Sequence, residues 1–132
     1  MAQRSIGAVT LLVPTYQAGI DFFIGALGFA LIEDRDLGGG KRWVLVGAES
    51  GALLLLAQAV GPAQIAATGN QTGGRVGFFL HTDDFARDHA RFSAAGVVFR
   101  EAPRREAYGT VAVFADPFGN LWDLIEPAAA VT

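Results

Sequence analysis

Phe114-Ala115-Asp116-Pro117-Phe118-Gly119-Asn120-Leu121-Trp122-Asp123-Leu124-Ile125-Glu126 reads as a strand, a tight turn and a second strand, and its pattern occurs twice in the chain. Moved back by 68 positions, Ala112-Val113-Phe114 falls on Val44-Leu45-Val46, Gly119 on Gly51, and Leu121-Trp122-Asp123-Leu124 on Leu53-Leu54-Leu55-Leu56. The same shift places Ala95-Gly96-Val97 on Leu27-Gly28-Phe29. Identities are few, but the apolar and turn pattern persists through both halves, and an internal repeat dictates architecture before any side chain is interpreted. Each half reads strand, helix, then three strands: module 1 over about 6–58, a linker over 59–74, and module 2 over about 75–127. One βαβββ unit leaves a face of its sheet bare, whereas two side by side enclose a cavity. The expected fold is therefore α+β, one domain over 1–132 in which two tandem βαβββ modules form a curved mixed sheet around a cleft, helices outside.

Within module 1, Ile6 to Val13 is an apolar run that Pro14 ends, with Thr15 as helix N-cap. Ile20, Phe23, Ile24 and Leu27 share one helical face, and Gly28 is placed to close the helix. Strands follow at Phe29 to Glu33, Arg42 to Val46 and Ala52 to Ala57, with Asp36 to Lys41 as a hairpin loop. Gly38-Gly39-Gly40 in that loop lacks the strand-to-helix setting and the Lys-Ser/Thr pair of a phosphate loop, so it reads as a hairpin tip. The linker carries one helical turn around Ala63 to Ala67. In module 2, Val76 to Thr82 is a strand and Asp83 caps a helix bearing Phe85, His89 and Phe92 on its inner face, closed by Gly96. Val97 to Arg100, Thr110 to Ala115 and Asn120 to Ile125 are strands, Glu101 to Tyr108 is a charged loop, and the tail after Pro127 frays.

Composition narrows the function classes. Hydrophobic residues make up 52% of the 132 residues and charged residues 17%, which supplies a core and argues against disorder. A net charge of −3 gives no basic footprint for nucleic acid. The absence of cysteine excludes disulfides, thiol catalysis and thiolate metal sites. Met1-Ala2-Gln3-Arg4-Ser5 runs into a strand without the apolar stretch of a secretory leader, and no apolar run reaches membrane-spanning length, so a cytoplasmic protein with no membrane partner is expected.

Val13-Pro14, Ile20-Asp21-Phe22-Phe23, Leu27-Gly28-Phe29 and the closing stretch 114–126 resemble the vicinal oxygen chelate superfamily, which includes glyoxalase I, extradiol dioxygenases and bleomycin-binding resistance proteins. The resemblance covers about 6–127 and is specific for fold rather than reaction. It implies a homodimer with clefts near subunit boundaries. In metal-dependent members, His, Glu or Gln side chains from the first and last strands of each module hold one divalent ion, which acts as a Lewis acid. Those positions fall here on Ala8, Leu55, Gly77 and Asp123, so the resemblance implies no metal site and no cofactor in this chain.

The remaining candidates each admit two readings. Alternation places Gly77, Phe79 and His81 on one strand face and Leu121, Asp123 and Ile125 on another, and the resemblance implies that both faces line the cleft. His81 is a ligand partner or general base, since histidine titrates near neutral pH, or a solvated strand end. Asp123, between Trp122 and Leu124, is a pocket acid or a carboxylate paired at the sheet's mouth. The 100–109 loop with Tyr108 is a lid in which Arg100 or Arg104 holds an anionic group, or a solvated connection. Trp43 stacks on a flat ligand or joins the core, His89 is packed, and Leu53 to Leu56 are core. Two functions follow. One is a metal-free binder of an apolar or aromatic small molecule, with His81, Asp123, Phe79, Leu121, Ile125, Arg104 and Tyr108 at the site. The other is a glyoxalase-like lyase, isomerase or dioxygenase-related enzyme using Asp123 and His81.

Overall fold

A computed structural model describes residues 2–129; the frayed tail expected after Pro127 lies largely outside them, as does Met1. The chain divides after Thr68 into two compact units. The division falls inside the stretch expected as linker, and each unit carries a strand, a helix and further strands in one mixed sheet.

Unit 1 comprises β1 (Ala8–Val13), α1 (Tyr16–Ile20), β2 (Ala30–Gly38), β3 (Lys41–Gly47), β4 (Leu53–Gln58) and α2 (Gly61–Ala67), with sheet order β1-β4-β3-β2. Strands β1 and β4 run parallel with Ala8 opposite Leu53, while β4, β3 and β2 pair antiparallel. Thr15 caps α1, its hydroxyl accepting from Ala18 N at 3.1 Å. The helix then widens into a π-helical segment, Asp21–Ala26, in which Leu27 N donates to Phe22 O. This corrects the expected Ile20/Phe23/Ile24/Leu27 face: the buried side is Tyr16, Gly19, Phe22, Phe23 and Leu27. The wider turn brings two consecutive phenylalanines inward, edge to face at 5.1 Å. Gly28, at φ +72°, ends the segment, and Phe29 N reaches back to Phe23 O at 2.8 Å.

Three further expectations for unit 1 are corrected. Strand β2 extends through the expected loop, leaving Gly39-Gly40 as the hairpin tip. The positive φ at Gly38, Gly39 and Gly40 permits so tight a reversal. Of the leucine run, Leu54 and Leu56 are buried with Leu11, Val13, Val44 and Val46, but Leu53 and Leu55 lie half-buried on the opposite face. Trp43 is half-buried as well, on the face of β3 opposite Val44 and Val46. The linker's single turn is a seven-residue helix, α2, with Pro62 in its first turn.

Unit 2 comprises β5 (Val76–His81), α3 (Phe85–Ala94), β6 (Val98–Phe99), β7 (Arg104–Glu106), β8 (Gly109–Ala115) and β9 (Leu121–Pro127). Sheet order is β5-β9-β8-β6, and β7 also pairs with β8. Val76 stands opposite Leu121 on parallel strands, 68 positions on from Ala8 and Leu53 in both members. Beyond Val76 the two units part: Gly77 is an extra residue, and Phe78 pairs with Trp122. Gly77 is therefore not a regular member of the Phe79/His81 row. The cap of α3 is Asp84, not Asp83; its carboxylate accepts from Arg87 N, and Asp83 instead pairs with the Arg87 guanidinium at 2.9 Å. Glu126 on β9 ties the helix to the sheet by accepting from Phe85 N at 2.8 Å. His89 is packed as expected, though its second aromatic neighbour is Phe99, at 4.1 Å, and Phe92 turns to Phe114.

The turn at 116–119 carries a network that the sequence reading treated only as a turn. Asp116, 4% exposed, accepts from the backbone N–H groups of Phe118, Gly119 and Asn120, from Asn120 Nδ2, and from Trp122 Nε1 at 3.1 Å. Trp122 lies on the helix-covered side, stacked on Phe78 at 4.5 Å and on Phe114 at 5.7 Å. No helix among the described residues is long and apolar enough to cross a membrane.

Candidate functional site

Because Trp122 and Leu124 turn toward the helix side, Leu121, Asp123 and Ile125 turn to the other face of the unit 2 sheet. Register decides what joins them there. Phe79 and Val113 flank Asp123 on β5 and β8, His81 and Val111 flank Ile125, and Val76 and Ala115 flank Leu121. Arg104 on β7 stands opposite Val111. One row of side chains thus runs Arg104, Val111, Ile125, His81, and the next runs Val113, Asp123, Phe79. The expected residues Phe79, His81, Leu121, Asp123, Ile125 and Arg104 are brought onto one face of a single sheet.

That face is uneven. Ile125 is buried, Leu121 half-buried and His81 exposed, while the Phe79 ring is 60% exposed. Asp123 keeps only 8% of its surface, and its Oδ1 is enclosed without a hydrogen-bond partner. Burial pushes the Asp123 carboxyl above its ordinary range; the positive charge of Arg104 opposes the shift and Glu101 adds to it.

The charged loop corrects an expectation. Residues 104–106 form a strand, and Arg104 is held from three sides: its Nε by Glu101 at 3.0 Å, and its Nη1 by Glu106 at 2.8 Å and the Tyr108 hydroxyl at 3.3 Å. Glu101 also accepts from Val113 N, which pins the cluster to the edge of the Asp123 row. Hydrogen bonds to Glu106, Tyr108 and Glu101 raise the Arg104 pKa, so its charge is fixed. Its Nε and Nη1 are already engaged by carboxylates, so an incoming anion meets a partly occupied fork. Sequence reasoning did not find the roles of Glu101 and Glu106. Their signal was the spacing of three charges around an arginine, which is indistinguishable in sequence from a solvated run.

Neither unit supplies a metal-binding donor set at the positions the fold suggests. In unit 1, Ala8 and Leu55 carry no donor, and in unit 2, Gly77 is a bulge glycine beside Thr72 while Asp123 offers one carboxyl. Among the described residues no three His, Cys, Asp or Glu side chains gather to hold an ion. A single carboxylate does not satisfy the coordination of a divalent cation. His81 and Asp123 sit on neighbouring strands in successive rows, and no hydrogen bond joins them.

Comparisons with known proteins agree with this architecture. The family model of the Glyoxalase/Bleomycin resistance protein/Dioxygenase superfamily matches residues 5–124. An uncharacterized protein of Shewanella frigidimarina (strain NCIMB 400) is 47% identical over 127 residues, 94% of each chain. The crystal structure of UcmS2 superposes with a TM-score of 0.80 at 28% identity, covering 96% of this chain and 99% of that one. TnmS3, an antibiotic binding protein from Streptomyces sp. CB03234, superposes with a TM-score of 0.77 at 28% identity, covering 97% and 99%. With two units that each run strand, helix and further strands in one mixed sheet, and a match over most of its length, the chain belongs to the glyoxalase/bleomycin resistance protein/dioxygenase superfamily.

Proposed function

We propose that this chain is a metal-free binding protein for a small apolar or aromatic molecule, held on the unit 2 face that carries Phe79, Asp123 and Ile125. The observation that carries the reading is the adjacency of an exposed phenyl ring and a buried, unpartnered carboxyl in an otherwise apolar row. An apolar surface with one or two oriented polar groups binds by removing apolar area from water, and the polar group sets orientation. The likeness to TnmS3, an antibiotic binding protein, supports the same class of activity. The donor set at the metal positions supports a metal-free mode. Association of two chains, which the family resemblance implies, belongs to this proposal.

Native mass spectrometry of the freshly purified protein, with elemental analysis of the same sample, tests it. The expected result is a small organic adduct, or thermal stabilisation by small aromatic compounds, with no stoichiometric metal. About one Zn, Ni, Mn or Fe per chain, lost on Asp123→Ala, would overturn it.

A further inference from the structure

We infer that the molecule held on the unit 2 face carries a hydrogen-bond donor beside an aromatic ring, a hydroxyl or a protonated amine, and that the Asp123 carboxyl takes this donor while the ring lies over Phe79. The inference rests on the proposed binding face and adds what the bound molecule must carry.

The surroundings of Asp123 leave its acceptor capacity unused. Phe79 and Val113 stand on either side of it, and Leu121 and Ile125 lie before and after it on the same face of β9. None of these side chains donates a hydrogen bond. The backbone N–H groups nearby serve the strand ladders or, at Val113, Glu101. Arg104, the nearest cation, is engaged by Glu101, Glu106 and Tyr108. His81 belongs to the next row, beside Ile125. A carboxyl so placed has a partner only if one arrives from outside. Its terminal torsion is two-fold, so rotation turns either oxygen outward.

Charge determines which partner suits it. Phe79 and Val113 flank Asp123, His81 lies in the next row, and the charges that act on Asp123 are Arg104 and Glu101, with Glu106 and Tyr108 engaged by Arg104. Glu101 and Glu106 already outnumber the one arginine, and Asp123 adds a third acid. An anionic group meets repulsion and a guanidinium whose Nε and Nη1 are already engaged, whereas a donor or cation meets an acceptor that lacks one. The desolvation that raises the Asp123 pKa is the cost such a donor would relieve.

Four naphthalene probes test the inference on the full chain: 2-naphthylmethylammonium, 2-naphthol, 2-methylnaphthalene and 2-naphthoate, each titrated while the backbone amide resonances of Phe79 and Asp123 are followed by NMR. The expected order at neutral pH places ammonium and naphthol above methylnaphthalene and naphthoate last, with ammonium about tenfold tighter than naphthoate. Asp123→Asn should remove most of the ammonium advantage and leave methylnaphthalene within about twofold of its parent affinity. An ammonium gain without a naphthol gain would identify charge, rather than the hydrogen bond alone, as what Asp123 recognises, and would still support a donor-bearing guest. Naphthoate binding as tightly as the ammonium, or an unchanged ranking in Asp123→Asn, would overturn the donor inference while methylnaphthalene binding still upheld the face. Failure of all four probes to move these resonances would overturn both.

Discussion

Phe79 and Asp123 are register partners on adjacent parallel strands and share one face of the unit 2 sheet, yet the ring is 60% exposed and the carboxyl 8%. The pairing is unfavourable for the isolated fold in two ways, since an aromatic ring stays in water and an acid leaves it. Unit 1 has leucine at the position matching Asp123: Leu55, flanked by Thr10 and Leu45. The acid is thus not required by the βαβββ frame, which points to a role beyond folding.

Asp123→Asn should stabilise the protein at neutral pH, by on the order of 1 kcal/mol, because an amide costs less to enclose than a carboxylate. The sign follows from linkage. A carboxyl whose folded-state pKa is raised favours the fold below the ordinary carboxylate pKa and loses that contribution as pH rises through the folded value. The difference between parent and variant should therefore shrink toward zero in acid. Urea unfolding at pH 7 and near pH 3 checks this; a variant less stable than the parent at pH 7 would show the ionised carboxyl to be a stabilising group.

Arg104→Gln should raise the Asp123 pKa further, and Glu101→Gln should lower it, because the first removes an opposing positive charge and the second a reinforcing negative one. Carboxyl carbon NMR titration of Asp123 in the two variants reads the opposite movements directly. Shifts of the same sign in both would mean that local rearrangement outweighs charge.

Asp88 shifts the other way. Burial opposes its ionisation, but hydrogen bonds from Arg87 and from Thr82, at 2.6 Å, outweigh it and hold the carboxyl below its usual range. Its contribution is present above the ordinary carboxylate pKa and is lost as pH falls through the lowered folded value. Asp88→Asn should be destabilising at pH 7, with a penalty that fades in acid, the reverse of Asp123→Asn.

Gly19→Val should destabilise unit 1 by about 1–3 kcal/mol, the usual cost of overpacking. A Cβ at Gly19 would lie 2.8 Å from Leu56 Cδ1 and 3.0 Å from Val13 Cγ1, both on fully packed side chains. Asp116→Ala should cost about 3 kcal/mol or more, since it strands several buried donors at once, Trp122 Nε1 among them. Chemical denaturation of both variants checks these values, and an unchanged midpoint for either would contradict the packing described.

The repeat was legible in the sequence because both units obey one register: the shift that aligns Leu53 with Leu121 also aligns Ala8 with Val76. The faces of β9 were legible for the same reason, since strict alternation sends Trp122 and Asp123 to opposite sides. What escaped were departures from ideal periods. The π-helical segment at Asp21–Ala26 breaks the 3.6-residue spacing that pointed to Ile20 and Ile24. The bulge at Gly77 adds a residue that no alternation rule anticipates. Strand β7, Arg104-Arg105-Glu106, has no apolar alternation and exists because β8 offers it a free edge. The Asp116 network was hidden because a turn aspartate looks the same whether it accepts one hydrogen bond or five.

If Phe79 and Asp123 mark the binding face, 2-methylnaphthalene should bind the parent protein more tightly than Phe79→Ala, with the bound position mapped by backbone amide shifts. The largest shifts are expected at Phe79, Val113, Asp123 and Ile125, with affinity falling about tenfold in the variant, as for removing a stacked ring. Unchanged affinity in Phe79→Ala, with shifts gathered instead around the exposed Leu31 and Ile32 of β2, would contradict it.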